Sequence, residues 1–245
     1  MACEQSEIQA AAPVLSDVAA AKTVVLADII AARVDRSSLR SVLVVGCGRG
    51  QEAGILARYF SGANTIGIDI GAQFEFHHEA AAPATLVKMD AHQLEFEPGS
   101  FDLVYSFHAL EHMREPRKVL SEMARVLAPS GTFCVGTPNK SRLVGYIGSP
   151  ASFSDKVRWN LTDLKYRLTG RWENASGAHA GFSASELLSM CRLAFGRGED
   201  VSEQYYGALY RKSSAIQAAI ASPLGHLIMP CCYIIGAGDQ RSRPN

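Results

Sequence analysis

The chain has 245 residues, 47% of them hydrophobic, with 24 basic and 24 acidic side chains and a formal net charge of zero. That length suits one α/β domain with an insertion and a proper core, and the balanced charge leaves no global field favouring nucleic acid or a membrane. Cys3, Cys47, Cys134, Cys191, Cys231 and Cys232 form no C-x-x-C pair and no zinc spacing, so they read as reduced, mostly buried thiols of a cytoplasmic protein with no metal site.

Glu4 and Glu7 stand where a signal peptide would be basic and then apolar, so secretion is not expected. From Ile8 to Val34 the chain is alanine-rich, with Val14, Val18, Ala21, Val25, Leu26, Ile29 and Ile30 mostly at helical spacing. Pro13 interrupts it early, which predicts two amphipathic helices.

Ser41-Val42-Leu43-Val44-Val45 is the short apolar, β-branched run of a strand buried on both faces. Gly46, Gly48 and Gly50 follow at alternate positions, and Gln51 to Phe60 then shows helical spacing. Strand, glycine turn and helix together bring bare backbone N–H groups and a positive helix end up to a ligand. A dinucleotide fingerprint would need glycine at position 51, which here is Gln51.

A second strand, Asn64 to Ile68, ends in Asp69, followed by Ile70. An acid at that strand tip is placed to accept from both hydroxyls of a ribose; the competing role is a helix N-cap. A third strand, Thr85 to Met89, ends in Asp90 and Ala91. The Glu97-Pro98-Gly99-Ser100 turn leads into a fourth strand, Phe101 to Ser106, and then Phe107, His108 and Leu110-Glu111-His112. A helix over Met113–Leu127 is predicted from Val119, Leu120, Met123 and Val126 on one face, with Glu122 and Arg125 as a solvent-side pair. Pro129-Ser130-Gly131 then turns into a fifth strand, Thr132 to Gly136.

These pieces, G-x-G-x-G after a strand, acids at two strand tips, F-D-L-V, L-E-H and a helix ending R-V-L, resemble the class I S-adenosylmethionine-dependent methyltransferases over roughly residues 40–137. The alternating βα pattern predicts a doubly wound, mostly parallel sheet, and the resemblance implies the seven-stranded, Rossmann-like form of it. It implies S-adenosyl-L-methionine as cofactor, leaving as S-adenosyl-L-homocysteine. It places Gly46, Cys47, Gly48, Gly50, Asp69, Ile70, Asp90, Ala91, Ser106 and Phe107 around that cofactor. Within it the chain divides into a helical leader (1–38), a cofactor-binding core (39–138), a lid (139–185) and a C-terminal helix with the last strands (186–245).

The lid holds both tryptophans, Trp159 and Trp172, and seven basic residues against three acids, a local excess of about four positive charges. Basic residues among aromatics suit nucleic acid, a small acidic or phosphorylated acceptor, or a solvated helix whose tryptophans complete the core. The resemblance favours a lid over a small-molecule pocket, with no nucleic acid; a homo-oligomer is allowed. Ser183 and Glu186 have capping-box spacing at the next helix start.

His108-Ala109-Leu110-Glu111-His112 also matches H-x-x-E-H, an inverted zinc-protease signature. Its place after a parallel strand argues against a protease. His108, beyond the fourth strand, and His179, at the lid's exit, are the candidate general bases, since a neutral imidazole suits removal of an acceptor's proton. His112 is expected to be structural, and His77 and His78 are assigned nothing. Ser213 to Gly238 carries no formal charge, but Pro223, Gly225 and Pro230 break it into a core helix, Ser214–Ala221, and a buried strand, Cys231–Ile235. Spanning of a membrane is therefore not expected.

The leading reading is O-methylation of a small molecule such as a natural product, sugar or quinone-like precursor. N-methylation is second. A methyltransferase-like binding protein without activity is the non-enzymatic alternative.

Overall fold

The computed structural model describes residues 20–71, 84–146, 151–174 and 180–238. Strands β1 (Ser41–Val45), β2 (Asn64–Asp69), β3 (Ala84–Lys88), β4 (Phe101–Phe107), β5 (Leu127–Pro138), β6 (Glu199–Asp200) and β7 (Cys231–Ala237) form one sheet in the order β3-β2-β1-β4-β5-β7-β6. Pairings among β1 to β5 are parallel, while β7 runs antiparallel to both β5 and β6. This is the seven-stranded, mostly parallel, doubly wound sheet that the βα alternation predicts.

Among the described residues seven helices accompany it: α1 (residues 20–31), α2 (Gln51–Tyr59), α3 (Pro116–Val126), α4 (Phe153–Leu168), α5 (Ala184–Phe195), α6 (Ser202–Leu209) and α7 (Ser214–Ile220). Successive side chains of a strand point to opposite faces, and β1 shows why its run is apolar throughout. Val42 and Val44 belong to the core formed with Leu26 and Ile30 of α1, Leu56 of α2 and Tyr205 of α6. Leu43 and Val45 belong to the opposite core, with Leu120 and Met123 of α3 and Leu187 and Phe195 of α5. Helices thus cover both faces of the sheet, as parallel strands require.

Several boundaries differ from the sequence expectation. The predicted helix over 113–127 begins at Pro116, whose fixed φ suits a first helical position. Residues 110–112 instead form a short 3₁₀ turn. Leu127 already belongs to β5, which pairs with Phe101 and then shifts register, so the Pro129-Ser130-Gly131 turn sits in an irregularity of that strand. In the C-terminal region the two expected helices form as α5 and α7, and the unexpected additions between them are the short β6 and α6. The first leader helix, with Pro13, lies outside the described residues. The capping box forms as predicted, with Ser183 accepting from the Glu186 N–H and Glu186 accepting from the Ser183 N–H.

Glu122 and Arg125 do more than the solvent-side pairing expected of them. Arg125 donates to the carbonyls of Phe96 and Leu94 (2.8 and 2.7 Å) while Glu122 accepts from the Leu94 N–H (2.9 Å). Together they clamp the loop that leads from β3 into β4. Arg125→Ala leaves two carbonyls and the Glu122 carboxylate without that donor, and should lower stability by about 2 kcal/mol; a fall in the urea midpoint at constant slope is the expected reading.

Candidate functional site

The chain runs outward from β1 through β2 to β3 and returns to β4, so the sheet reverses direction between β1 and β4. Ligands of open α/β sheets bind at such a point, beyond the carboxyl ends of the strands. Here the glycine turn leaves β1 and His108 follows β4.

The turn is fixed by one carbonyl. Ile68 O accepts from both the Gly46 and Cys47 N–H groups, each at 2.9 Å. The Gly48 N–H then donates to Asp69 Oδ2 and the Gly71 N–H to Asp69 Oδ1, both at 2.8 Å. Gly46, Gly48 and Gly50 all have positive φ (72°, 54° and 93°), where an L side chain is strained. Their surroundings differ. A Cβ on Gly46 would lie 2.2 Å from Ala109 Cβ, and one on Gly50 would lie 2.4 Å from Leu86 Cδ1. At Gly48 nothing lies within 4 Å, so that residue presents bare backbone to open space.

Asp69 is half-buried, and each of its oxygens keeps a lone pair beyond its backbone donor. Beside it Ile70 is 69% exposed, an apolar side chain with no core to join. Asp90 is exposed, and its Oδ1 accepts from the His92 N–H (2.9 Å) and meets His92 Nδ1 (2.7 Å). Those hydrogen bonds from His92 hold its carboxyl below the usual range, and among the described residues nothing bonds to Oδ2. Ala91 is buried behind it. Cys47 is buried, and loss of water pushes its thiol up to about 12.

On the β4 side, Ser106 is buried with its Oγ unpaired among the described residues. Phe107 stacks on Tyr233 of β7 (5.5 Å between ring centroids) and edges onto His108 (4.0 Å). His108 has φ 52°, strain rarely kept outside functional sites. Its Nδ1 lies 3.3 Å from Glu111 Oε1 and its Nε2 lies 3.4 Å from Cys231 Sγ, and 43% of the side chain is exposed. Desolvation pulls its pKa down, but Cys231 and Glu111 outweigh that and raise it to about 10.

That direction favours the ring as a donor over the neutral base expected of it. Residue 108 precedes the 3₁₀ turn, so His108 and His112 do not share a helix face. Both rings approach Glu111 instead, His112 through Nε2 at 3.8 Å. Among the described residues no group of three His, Cys, Asp or Glu side chains could hold a metal ion. His179, His77 and His78 lie outside the described residues.

Sequence reasoning passed over two residues of the site. Glu52, in the first turn of α2, is half-exposed at its stem while its carboxyl reaches inward and accepts from Thr23 Oγ1 of α1 (3.4 Å). Burial pushes its pKa up to about 7, with the charge of His108 holding it back. Its position directly after the glycine turn was the available signal. Cys231 gave none, because it reaches His108 across 123 positions of sequence.

A glycine turn open at Gly48, an acid at the tip of β2 and a crevice at the sheet's reversal define a nucleoside-cofactor-binding protein of the doubly wound α/β class. Residues 43–135 match the family described as methyltransferase domain. The chloroplastic tocopherol O-methyltransferase of Arabidopsis thaliana is 36% identical over 110 residues, which cover 42% of this chain and 31% of that protein. The sterol 24-C-methyltransferase of Yarrowia lipolytica is 39% identical over 101 residues, covering 38% and 26%. The chain therefore spans less than a third of the length of either relative. Among solved structures, the plantazolicin methyltransferase in complex with a monoazolic desmethyl analogue and S-adenosylhomocysteine shares the fold, with a TM-score of 0.61 at 11% identity over 97% of this chain and 89% of that one. Over residues 43–135 the chain carries a methyltransferase domain, and its fold is that of the S-adenosylmethionine-dependent methyltransferases, whose cofactor is S-adenosyl-L-methionine. The open backbone at Gly48 and the two-oxygen acceptor of Asp69 fit that group.

The glycine surroundings give a direct contrast. Gly46→Ala drives a methyl into Ala109 at a strained φ and should destabilise by about 3 kcal/mol or more. Gly48→Ala meets only the strain of its φ and should cost about 1–2 kcal/mol. Urea unfolding of the two variants side by side reads the difference.

Proposed function

We propose that this protein transfers a methyl group from S-adenosyl-L-methionine to a hydroxyl of a small molecule such as a natural product, sugar or quinone-like precursor. The observation that carries the reading is the turn from Gly46 to Gly50, braced on Ile68 O, bonded to Asp69 through the Gly48 N–H and open to space where a Gly48 side chain would stand. The bound cofactor supplies an electrophilic methyl on a sulfonium. Asp69 would hold the ribose hydroxyls with the lone pairs left by Gly48 and Gly71. Ile70 would cover one face of the adenine and Asp90 Oδ2 would take its amino group. Likeness to a relative named for O-methylation supports oxygen as the acceptor atom.

Transfer to oxygen needs alignment and removal of one proton. Two groups on the floor have proton affinities set far apart, the arrangement that divides acid from base. Glu52, near 7, is poised to take the hydroxyl proton. His108, held protonated by Cys231 and Glu111, donates to the acceptor oxygen and steadies the charge that develops there. Glu111, with 1% of its side chain exposed, holds Nδ1, so the proton offered to the acceptor would come from Nε2, which rests 3.4 Å from Cys231 Sγ until an acceptor enters.

The positive excess of the lid lends little to an acidic acceptor. Arg142 is buried against Asp163 (3.3 Å), and Arg167 donates to the carbonyls of Lys140 and Arg142. Both guanidinium groups also lie over Trp172. These charges hold the lid together. A neutral hydroxylated acceptor is the better expectation.

Incubation with S-adenosyl-L-methionine and a panel of phenols, sugars and amines should release S-adenosylhomocysteine only with hydroxylated acceptors, and mass spectrometry should find the methyl as an ether. Asp69→Ala should weaken cofactor binding more than tenfold, roughly 1.4 kcal/mol or more; calorimetry giving the wild-type affinity would reject the pocket. For Glu52, kcat/KM of the wild type should rise with pH through about 7, while Glu52→Gln loses that limb and about a hundredfold in rate. The same group has a stability signature. Its folded pKa is raised, so the folded state holds the extra proton and stability falls as pH rises from the ordinary carboxylate range through about 7. Without cofactor, Glu52→Gln should therefore melt higher than wild type at pH 8 and nearly with it at pH 4, and equal melting at both would show that the carboxyl is not desolvated.

A further inference from the structure

Helix α4 is amphipathic in the reverse sense for a globular protein. Its one fully buried residue is an acid, Asp163. The face toward the protein is held mainly by polar attachments, with one aromatic contact of Trp159 on Tyr146 (5.0 Å): Asn160 accepts from the Gly145 N–H (2.7 Å), Asp163 pairs with Arg142, and Arg167 donates to two carbonyls after β5. The apolar residues face outward. Phe153, Val157, Leu161, Leu164 and Leu168 are 83%, 42%, 61%, 48% and 79% exposed. At 100° per residue they fall within one arc of about 80° running the length of the helix, roughly 24 Å. A surface helix ordinarily turns such a stripe to the core.

The residues beside the stripe are basic on its solvent-side edge. Projected around the helix, Arg158 and Lys165 border it there, while on the other edge Asn160 and Arg167, both tied to the protein, come before half-buried Lys156. Asp155 sits on the far side, paired with Arg158 (2.9 Å). Leu143 and Val144, 64% and 46% exposed, lie on the segment that Asn160 ties to the helix.

We infer that α4 is an interfacial helix, which lies flat on an anionic lipid surface with its apolar stripe among the acyl chains and its lysines and arginine at the headgroups. An apolar arc bordered by cations is the pattern of helices that rest in the membrane plane. Charge favours this over a second copy of the chain, since two such stripes packed antiparallel face to face would bring their basic edges, Arg158 and Lys165, together. The helix has 16 residues and several charges, and no helix among the described residues is long and apolar enough to cross a bilayer. It lies on the surface. A net charge of zero argued against a membrane partner, but that sum hides a local distribution in which the positive groups edge one apolar strip. Because α4 is fastened to the segment after β5, docking would bring the carboxyl edge of the sheet, where the crevice lies, toward the lipid. The inference uses no property of the methyl acceptor and stands apart from it.

Co-sedimentation with vesicles tests it on the full chain. The wild type should bind vesicles of phosphatidylcholine with phosphatidylglycerol at least ~tenfold more tightly than phosphatidylcholine alone, and high salt should reduce the difference. The double variant L161S/L164S should lose ~tenfold or more of its binding to the anionic vesicles. R158Q/K165Q should lose the preference for phosphatidylglycerol. Both variants should keep the wild-type melting temperature and cofactor affinity, since the altered side chains touch neither core nor crevice. Failure of the wild type to bind anionic vesicles, or undiminished binding by L161S/L164S, overturns the inference. So does a lower melting temperature in L161S/L164S, which would mean that the stripe is covered within the protein, or a dimer in sedimentation that this variant turns to monomer, which would assign the stripe to a second copy.

Discussion

The carbonyl of Ile68 is where this structure is decided. By accepting from Gly46 and Cys47 at once it locks the end of β1 to the end of β2 and leaves the Gly48 N–H aimed at Asp69. Three conditions must hold for that bond pair to form. Position 46 must tolerate φ 72° with Ala109 almost in contact, position 50 must fit under Leu86, and the acid at 69 must receive the next N–H. Only glycine meets the first two. The open space at Gly48 is then a consequence of close packing at its neighbours, because the turn closes on both sides of that residue and not over it.

On the β4 side the governing factor is the low dielectric under the crevice. Glu52, His108 and Glu111 come together beside the buried hydroxyl of Tyr105: the charge of His108 holds back the raised pKa of Glu52, Glu52 raises that of Tyr105, and Glu111 raises that of His108. Such a cluster does not stabilise the fold: Glu111 Oε2 and the Tyr105 hydroxyl are buried without partners among the described residues, and His108 is strained. Features that disfavour folding persist where the surrounding structure over-determines them. Here the rigid sheet beneath β1 and β4 supplies that support, and a bound acceptor would give the unpaired groups a partner.

The glycine turn and the strand-tip acids were legible because they are local. The strand, the glycines, Asp69 and Asp90 are each read within a few residues, and their spacing carries the geometry. The cluster around His108 was not, because it is assembled from distant segments. Glu52 looked like an ordinary first-turn acid until Thr23 and His108 closed over it. Arg125 looked like a solvent-side partner of Glu122, since its carbonyl partners lie 29 and 31 positions away. For the tryptophan at 172 the sequence left a ligand surface and internal packing both open, and Arg142 and Arg167 pack over it internally. For α4 the periodicity was present in the sequence, but a period gives only the existence of an apolar face and not which way it points. The polar attachments of Asn160, Asp163 and Arg167 turn it outward.

The antiparallel strand β7 explains why the crevice is more than a cofactor cradle. A sheet that ended at β5 would leave His108 beside an open edge. β7 inserts next to β5 in a register that sets Tyr233 opposite Gly136 and Cys231 opposite Pro138. Gly136 has to be glycine for this, since a Cβ there would lie 2.8 Å from both Phe107 and Tyr233. Phe107 can then stack on Tyr233 and bring His108 to the sulfur of Cys231. Tyr206 of α6 steadies the strand's entry by accepting from the Cys231 N–H (2.9 Å). The chain's last described strand therefore sets the proton affinity of a residue at the end of its fourth, and the chemistry available to the crevice depends on the hairpin-like closure of β6 and β7 as much as on the glycine turn.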